Sequence, residues 1–143
     1  MKVIKIEPCR RPEVIDLDES KQLHVAMREA IGCKTVEVVN AKKLGVRYCI
    51  VCDEEFLLKH GQQINPLPSY LYGYCEHGHP ICGTVLVMKK KETPEGIDLV
   101  GFDSDFDLDV AMGYLNSKCM TAYVKVAHTY IWLNRDEEDL DHD

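Results

Sequence analysis

The spacing of the apolar residues changes once in the first third of the chain, and this change limits the folds that are open to it. Just before residue 32 the apolar side chains recur at intervals of three and four, which predicts an amphipathic helix. The predicted buried stripe is Leu23, Ala26, Met27, Ala30 and Ile31. Residues 35–39 and 46–52 are instead dense in β-branched residues, and they flank a polar connection that ends in Gly45. This pattern is typical of a β-hairpin.

The ends of the first helix carry recognisable signals. Asp18 or Ser20 is placed to cap its start, and Gly32 stands where a left-handed residue ends a helix. Residues 2–6 and 13–17 are short β-rich runs on either side of a turn, so we predict a strand for each. Residues 81–88 predict a further strand.

The segments around these elements are also interpretable. Tyr70, Tyr72 and Tyr74 alternate, which predicts one face of a strand, and the polar segment 89–96 predicts a solvated loop. Residues 56–60 predict a single helical turn and residues 61–68 a loop, because Asn65-Pro66 and Pro68 punctuate that segment.

A second helix is expected after Asp103 and Ser104, which are both good capping residues. Its predicted apolar stripe is Phe106, Val110, Ala111, Tyr114 and Leu115. Residues 120–133 are rich in Thr, Val, Ile, Tyr and Trp, which favours an extended last strand. The fold class expected from all these segments is α+β, with a small mixed or antiparallel sheet and two main helices.

The charge of the chain is concentrated at its end. The chain has 143 residues and a net charge of −7, and residues 135–143 contain six acids and one base, so their net charge of −5 leaves −2 for residues 1–134. A nearly neutral body argues against direct nucleic-acid binding. We therefore predict a single α+β domain over residues 1–134 and an acidic disordered tail over residues 135–143.

The seven cysteines indicate a reducing compartment. Their number is odd, no export signal precedes them, and no apolar run is long enough for a membrane span. A cytoplasmic protein with free thiols is the expectation. Cys49 and Cys52 spell C-x-x-C, but within a strand residues i and i+3 face opposite sides, so we expect two core thiols.

One short loop contains soft metal ligands. Cys75, His77, His79 and Cys82 lie close in sequence and all are thiol or imidazole donors. A structural zinc site normally combines two ligand pairs, and no strong second pair is present. We expect no cofactor and no metal, with these four residues as the ligands if a metal is bound.

Several short segments between Met1 and about residue 116 are shared with a known family, namely the opening MKVIKIEP, the segment 50–55 (IVCDEE), Asn65, the segment 81–87 (ICGTVLV) and Gly101-Phe102-Asp103. This resemblance is to a family named only as domain of unknown function 3846. It implies a product of phages, prophages or conjugative elements in a bacterial cytoplasm, and it implies no assigned activity or cofactor. The chain departs from the resemblance after residue 117.

Several polar and aromatic residues are candidates for binding. Asp53 and Glu54 end a strand. Carboxylates at such a position either serve as acid and base in catalysis or belong to a solvated turn. Asn65, which the resemblance brings forward, holds a turn or contacts a ligand. Arg10 and Arg11, with Lys42, Lys43 and the lysines of 89–91, offer cations for a phosphate. The remaining candidates are Tyr70, Tyr72, His77 and His79.

These observations favour a non-enzymatic binding protein, because the sequence contains no nucleophile-elbow motif and no phosphate-binding loop motif. Together with the resemblance, they lead us to expect stoichiometric binding of a host-defence protein by a phage or mobile-element product. One alternative is a sponge that sequesters a nucleotide-type defence signal in the pocket of a homo-oligomer. A second alternative is a small zinc-binding accessory protein.

Overall fold

A six-stranded antiparallel sheet forms the centre of the molecule in the computed structural model, which describes residues 1–55, 63–77 and 79–141. The strands are β1 (Lys2–Ile6), β2 (Glu13–Asp16), β3 (Val36–Asn40), β4 (Tyr48–Asp53), β5 (Val85–Thr93) and β6 (Gly96–Val100). Their order is β2-β1-β5-β4-β3, and β6 pairs with the second half of β5. The long strand β5 therefore holds β1 and β6 along one edge and β4 along the other.

Helices cover both faces of this sheet. They are α1 (Leu23–Ile31), α2 (Pro66–Tyr72), α3 (Tyr74–His77) and α4 (Asp105–Asp141). Ala26 and Met27 of α1 pack on one face, while Leu71 of α2 and Leu115 of α4 are buried on the other. The expected α+β class is confirmed, the sheet is antiparallel in all its pairings, and α1 and α4 are the two main helices.

Strand β4 distributes its side chains to both layers. Cys49 and Val51 belong to the cluster under α1, and Ile50 and Cys52 belong to the cluster under α2 and α4. Both cysteines are fully buried. The alternation of a strand thus separates the C-x-x-C pair, as expected.

Helix α1 ends as predicted but begins differently. Gly32 has φ +81° and its N–H donates to the carbonyl of Arg28, so it is the left-handed cap. Gln22 is the N-cap residue, without a side-chain capping bond. The Asp18 carboxylate instead accepts hydrogen bonds from the N–H and hydroxyl of Ser20, so the predicted cap residues close a turn before the helix.

The alternating tyrosines do not form a strand. Tyr70 and Tyr72 lie in α2 and Tyr74 in α3, and residues 66–68 belong to the helix and not to a loop. Pro66 occupies the first turn, where the missing N–H costs nothing, and Gly73 ends α2 with φ +103°. The prediction was wrong because helical packing of this segment on the sheet outweighs its alternation.

The strand predicted over residues 81–88 is displaced along the chain. Gly83 has φ +80°, so the chain bends there and β5 begins at Val85. The strand continues through the lysines of the predicted loop 89–96 and turns into β6. A solvated hairpin is as polar as a loop, so composition alone misassigned this segment.

Helix α4 replaces the predicted last strand. Ser104 caps it by accepting a hydrogen bond from the N–H of Asp107 (3.1 Å), as expected. Its buried stripe is Leu108, Ala111, Leu115, Ala122 and Val126, whereas Phe106 and Val110, predicted to be buried, are exposed. The members of this stripe are three, four or seven residues apart, so they share one face of the helix, and residues 122 and 126 are buried against the core. This packing outweighs the β propensity of residues 120–133.

The backbone of α4 crosses the predicted domain boundary at residue 134 without interruption. Residues 135–141 are therefore helical in the structure, where the sequence predicts disorder, and their mobility in solution stays a prediction. The predicted turn over residues 56–60 lies outside the described residues. Every helix within the described part of the chain is too short or too polar to span a membrane.

Candidate ligand-binding cleft

A cleft of about 520 Å³ lies between the β1–β2 turn, the start of α2 and the middle of α4. Its volume is within the range of small-molecule sites. Three elements supply its walls, and the lining residues are Cys9, Arg10 and Arg11 of the turn, Asn65, Pro66 and Leu67 at α2, and Asn116, Cys119, Met120 and Tyr123 of α4. Three predicted site residues, Arg10, Arg11 and Asn65, are thus brought together.

Asn65 is the buried polar residue of this cleft. Its side-chain amide donates hydrogen bonds of 2.9 Å to the carbonyls of Ile6 and Gly83, which fixes the orientation of the amide group. Its Oδ1 atom is buried and has no hydrogen-bond partner within the described residues. A buried, unpaired acceptor costs on the order of 1–3 kcal/mol, so a further hydrogen-bond donor at this oxygen would be stabilising.

The turn between β1 and β2 presents the two arginines. Cys9 has φ +59°, the left-handed conformation that residues other than glycine rarely adopt. Arg10 follows and makes a loose ion pair with Glu7 at 3.5 Å, while its side chain stays largely exposed. Burial raises the pKa of the Cys119 thiol, and the positive charge of the nearby Arg11 opposes this increase. The turn thus places two guanidinium groups at the cleft beside α4.

Helix α4 supplies an aromatic and apolar wall. Tyr123 and Met120 are 54% and 72% exposed, so both offer surface to a ligand. Asn116 donates a hydrogen bond of 3.0 Å to the carbonyl of Met112, which fixes the orientation of its amide group. Guanidinium groups, an aromatic ring and amide groups are the chemistry that binds a ring system carrying an anionic group.

The predicted lysine candidates do not join this cleft. Lys42 and Lys43 pair with Glu76 at 3.5 and 3.3 Å, and the hydrogen bond from Lys43 is the first cause of the lowered pKa of Glu76. Lys89 forms an ion pair with Asp107, which raises the pKa of Lys89. These lysines are engaged with carboxylates elsewhere, so the positive charge of the cleft comes from the arginines.

The predicted carboxylate candidates also lie elsewhere. Asp53 is buried at the end of β4, and its Oδ1 accepts a hydrogen bond from the N–H of Glu55 at 2.9 Å. It lines a separate, smaller cleft of about 240 Å³ together with Pro8 and Gly83. Glu54 is exposed, and its N–H donates to the carbonyl of Thr35. The end of the strand therefore holds these residues as a turn.

The predicted tyrosine platform is part of the core. Tyr70 is 8% exposed, and the ammonium groups of Lys43 and Lys125 lie 4.9 and 5.6 Å from the centre of its ring. Tyr72 is half-buried and packs against the core cluster. Neither ring lines the cleft, so stacking on a ligand falls to Tyr123.

The four predicted metal ligands are not assembled as far as the structure describes them. Cys82 is buried, which raises the pKa of its thiol, while Cys75 and His79 are exposed. The Cys75 sulfur instead accepts a hydrogen bond from the Thr129 hydroxyl at 3.2 Å. Among the side chains that are described, no three His, Cys, Asp or Glu residues are close enough to hold a metal. The side chain of His77 lies outside this description.

Sequence reasoning missed the α4 wall of the cleft. Asn116, Cys119, Met120 and Tyr123 are spaced at i, i+3, i+4 and i+7, which is one face of a helix. This signal was present, but assigning residues 120–133 to a strand separated its members. No sequence pattern identifies Cys9 as a cleft residue, because its role comes from its backbone conformation.

The fold and the cleft define a small α+β protein whose sheet is covered on both faces and whose ligand-sized cleft adjoins its last helix. The chain belongs to the family described as Domain of unknown function (DUF3846), whose family model matches residues 1–104. The match ends one residue before α4 begins. The cleft thus combines the matched part of the chain with a helix beyond it. Comparisons with curated proteins and with solved structures find no match.

Proposed function

We propose that this is a non-enzymatic binding protein that captures a small anionic ligand of the nucleotide class in the cleft between the β1–β2 turn and α4. The observation that carries this proposal is the meeting of Arg10 and Arg11 with the exposed ring of Tyr123 and the buried amide of Asn65 in one cleft. The guanidinium groups suit a phosphate, and the tyrosine ring suits a base. Ligand capture, an alternative in the sequence analysis, thereby becomes the leading function.

The absence of catalysis is part of the proposal. Burial raises the pKa of Cys49 to about 11 and that of Cys52 to about 12, so both thiols are protonated and poor nucleophiles near neutral pH. Asp53 and Glu54 lie outside the main cleft. In the biological setting that the resemblance implies, a phage or mobile-element product would act in the bacterial cytoplasm by removing a nucleotide-type defence signal.

Binding of a host-defence protein is the second candidate function. Its support is the exposed apolar surface of α4, where Phe106 and Met120 are 79% and 72% exposed, together with the exposed aspartates at the start of that helix. Aromatic residues and methionine are enriched in protein interfaces. The zinc-binding alternative has weaker support, because Cys75 and Cys82 differ so much in exposure.

Binding is tested with AMP as the first probe, and with adenosine and ribose 5-phosphate as its two halves. Calorimetry is expected to detect AMP binding that is stronger than binding of either half. Arg11→Ala and Tyr123→Ala are each expected to weaken AMP binding by about tenfold or more, which corresponds to about 1.4 kcal/mol. Arg47→Ala and Tyr130→Ala alter exposed residues that do not line the cleft, so they are the matched controls.

Native mass spectrometry of protein recovered from infected or defence-active cells extends the test beyond one probe. A stoichiometric nucleotide-sized adduct supports ligand capture. A co-purifying host protein, without any small adduct and without AMP binding, would replace it with the second candidate. Turnover of a nucleotide that Glu54→Gln abolishes would overturn the non-enzymatic assignment.

A further inference from the structure

We infer that α4 is also a self-association helix, and that two copies of this chain pair antiparallel through its outer face. The outer face is defined as Phe106, Val110, Gly113, Ser117, Met120 and Val124. These residues follow intervals of four and three, the heptad spacing of a helix–helix seam. They lie on the side of α4 opposite to the buried stripe that contains Leu115.

The outer face is exposed along its described length. The exposed fractions are 79% for Phe106, 53% for Val110, 72% for Met120 and 56% for Val124. A methyl group added at Gly113 would meet no atom within 4 Å, so the space beside it is open. Water-exposed apolar side chains at heptad spacing are typical of a seam that a second helix covers.

Side-chain size identifies the occupant as a second copy in antiparallel orientation. We consider the antiparallel register in which the numbers of two facing residues add to about 237. In this register Gly113 faces Val124 of the second copy, and Ser117 faces its Met120. The same register places Val110 opposite Ala127. Each of these layers joins a smaller residue to a larger one, which fills a seam without a void. A parallel pair would set Gly113 against Gly113 and leave a gap.

The helix dipoles favour the same orientation. Two antiparallel α4 helices oppose their dipoles favourably, and Asp105, Asp107 and Asp109 at the start of one helix lie apart from those of the other copy. A parallel pair would place the two sets of aspartates side by side, which is destabilising.

The surface area that the dimer would bury fits a reversible association. Burial of the four large outer-face residues on both copies would remove on the order of 1,000 Å² from water, near the lower end for specific interfaces. Dissociation in the micromolar range is therefore the expected strength. Because Met120 also lines the ligand cleft, the second copy would stand at the rim of each cleft. The dimer itself needs no ligand.

Sedimentation velocity on the full chain without ligand tests the proposal, from about tenfold below to about tenfold above a micromolar dissociation constant. We expect a monomer–dimer equilibrium. Met120→Glu and Val124→Glu are each expected to weaken it by at least about tenfold, because an unpaired carboxylate would be buried. Val46→Glu is the matched control, since Val46 is 89% exposed and does not belong to the outer face. Circular dichroism checks that each variant is folded, and Val110→Glu replaces either one that is not.

Orientation is read from a photo-crosslinking residue at position 110 in a mixture of light and isotope-labelled chains. Crosslinks to residues 124–130 of the other copy support the antiparallel pair. Crosslinks to the region of residue 110 would overturn its orientation. A monomer at all concentrations, or a dimer that Met120→Glu and Val124→Glu leave unchanged, would overturn the proposal as a whole. AMP binding is measured separately with Val124→Glu, because Val124, unlike Met120, does not line the cleft.

Discussion

The hydroxyl group of Ser69 forms two hydrogen bonds with the backbone of Ile81. It accepts from the Ile81 N–H at 2.9 Å and donates to the Ile81 carbonyl at 3.1 Å, and both residues are buried. One side chain of α2 thus satisfies both backbone groups of a residue that lies before β5. This pair ties the helix next to the cleft to the segment that leads into the central strand.

Removal of this hydroxyl is expected to destabilise the protein. Ser69→Ala leaves the buried Ile81 N–H without a partner, which costs about 2 kcal/mol, while the Ile81 carbonyl keeps its hydrogen bond from the Asn65 N–H at 2.8 Å. Urea unfolding followed by circular dichroism measures the change. Ser20→Ala is the control, because Ser20 makes its hydrogen bond in an exposed turn, and a change within about 0.5 kcal/mol is expected there. Equal effects of the two variants would contradict the role given to Ser69.

Gly101 is expected to tolerate no side chain. A Cβ atom there would lie 2.6 Å from the carbonyl oxygen of Lys2, which also accepts a hydrogen bond from the N–H of Phe102. Gly101→Ala should therefore destabilise the fold by about 1–3 kcal/mol.

Gly113→Ala is the matched substitution with the opposite expectation. Gly113 is exposed within a helix, so alanine should stabilise the monomer by up to about 1 kcal/mol. Both variants are unfolded in urea at two protein concentrations, which separates association from folding. A Gly101→Ala variant as stable as the parent chain would refute the close approach of the two segments.

The cysteines are expected to fall into reactive and protected groups. Cys9 and Cys75 are exposed, whereas Cys49 and Cys52 are buried with strongly raised pKa values. A chromogenic disulfide reagent at pH 8 should modify Cys9 and Cys75 rapidly and the buried pair only after unfolding. Peptide mapping identifies the sites. Rapid modification of Cys52 in folded protein would contradict its place in the core.

The protein is expected to fold without zinc. Elemental analysis of protein purified without chelators should find far less than one zinc per chain, and a chelator should leave the unfolding temperature unchanged. Cys75→Ser and Cys82→Ser variants are compared with the parent chain. One zinc per chain that both substitutions remove would establish the metal site that the sequence offered as an alternative.

The end of α4 is expected to exchange its amide hydrogens quickly. Residues 135–141 contain several acids close together, and no basic residue stands in the last turn to balance the helix dipole. Hydrogen exchange should be fast there and slow in residues 81–88. Equal protection of the two segments would contradict the predicted tail.

The parts of the fold that follow from local spacing were predictable. The β3–β4 hairpin and the end of α1 at Gly32 depend on neighbouring residues, and both are found as expected. Helix α2 was missed because Pro66 reads as a breaker in sequence, although the first turn of a helix accepts it. The second half of α4 was missed because its burial at Ala122 and Val126 depends on packing against α2 and α3, which lie far earlier in the chain.

The candidate site divides in the same way. Arg10 and Arg11 were found because two adjacent cations after a strand are conspicuous, and Asn65 because of the family resemblance. The orphan acceptor of Asn65 was beyond prediction, since its amide is held by Ile6 and Gly83, which are 59 and 18 residues away in sequence. Pairings of that length cannot be read from local patterns.

The register of β1 has a consequence for synthesis on the ribosome. Ile4 lies opposite Val87, so the first strand made finds its central neighbour only after more than half of the chain has been translated. At roughly 5–20 residues per second this is a wait of several seconds. Until then the nascent β1–β2 pair has an unpaired edge, where a chaperone would bind. Strand β1 is therefore the first strand to be synthesised, but it gains its second neighbour in the sheet late.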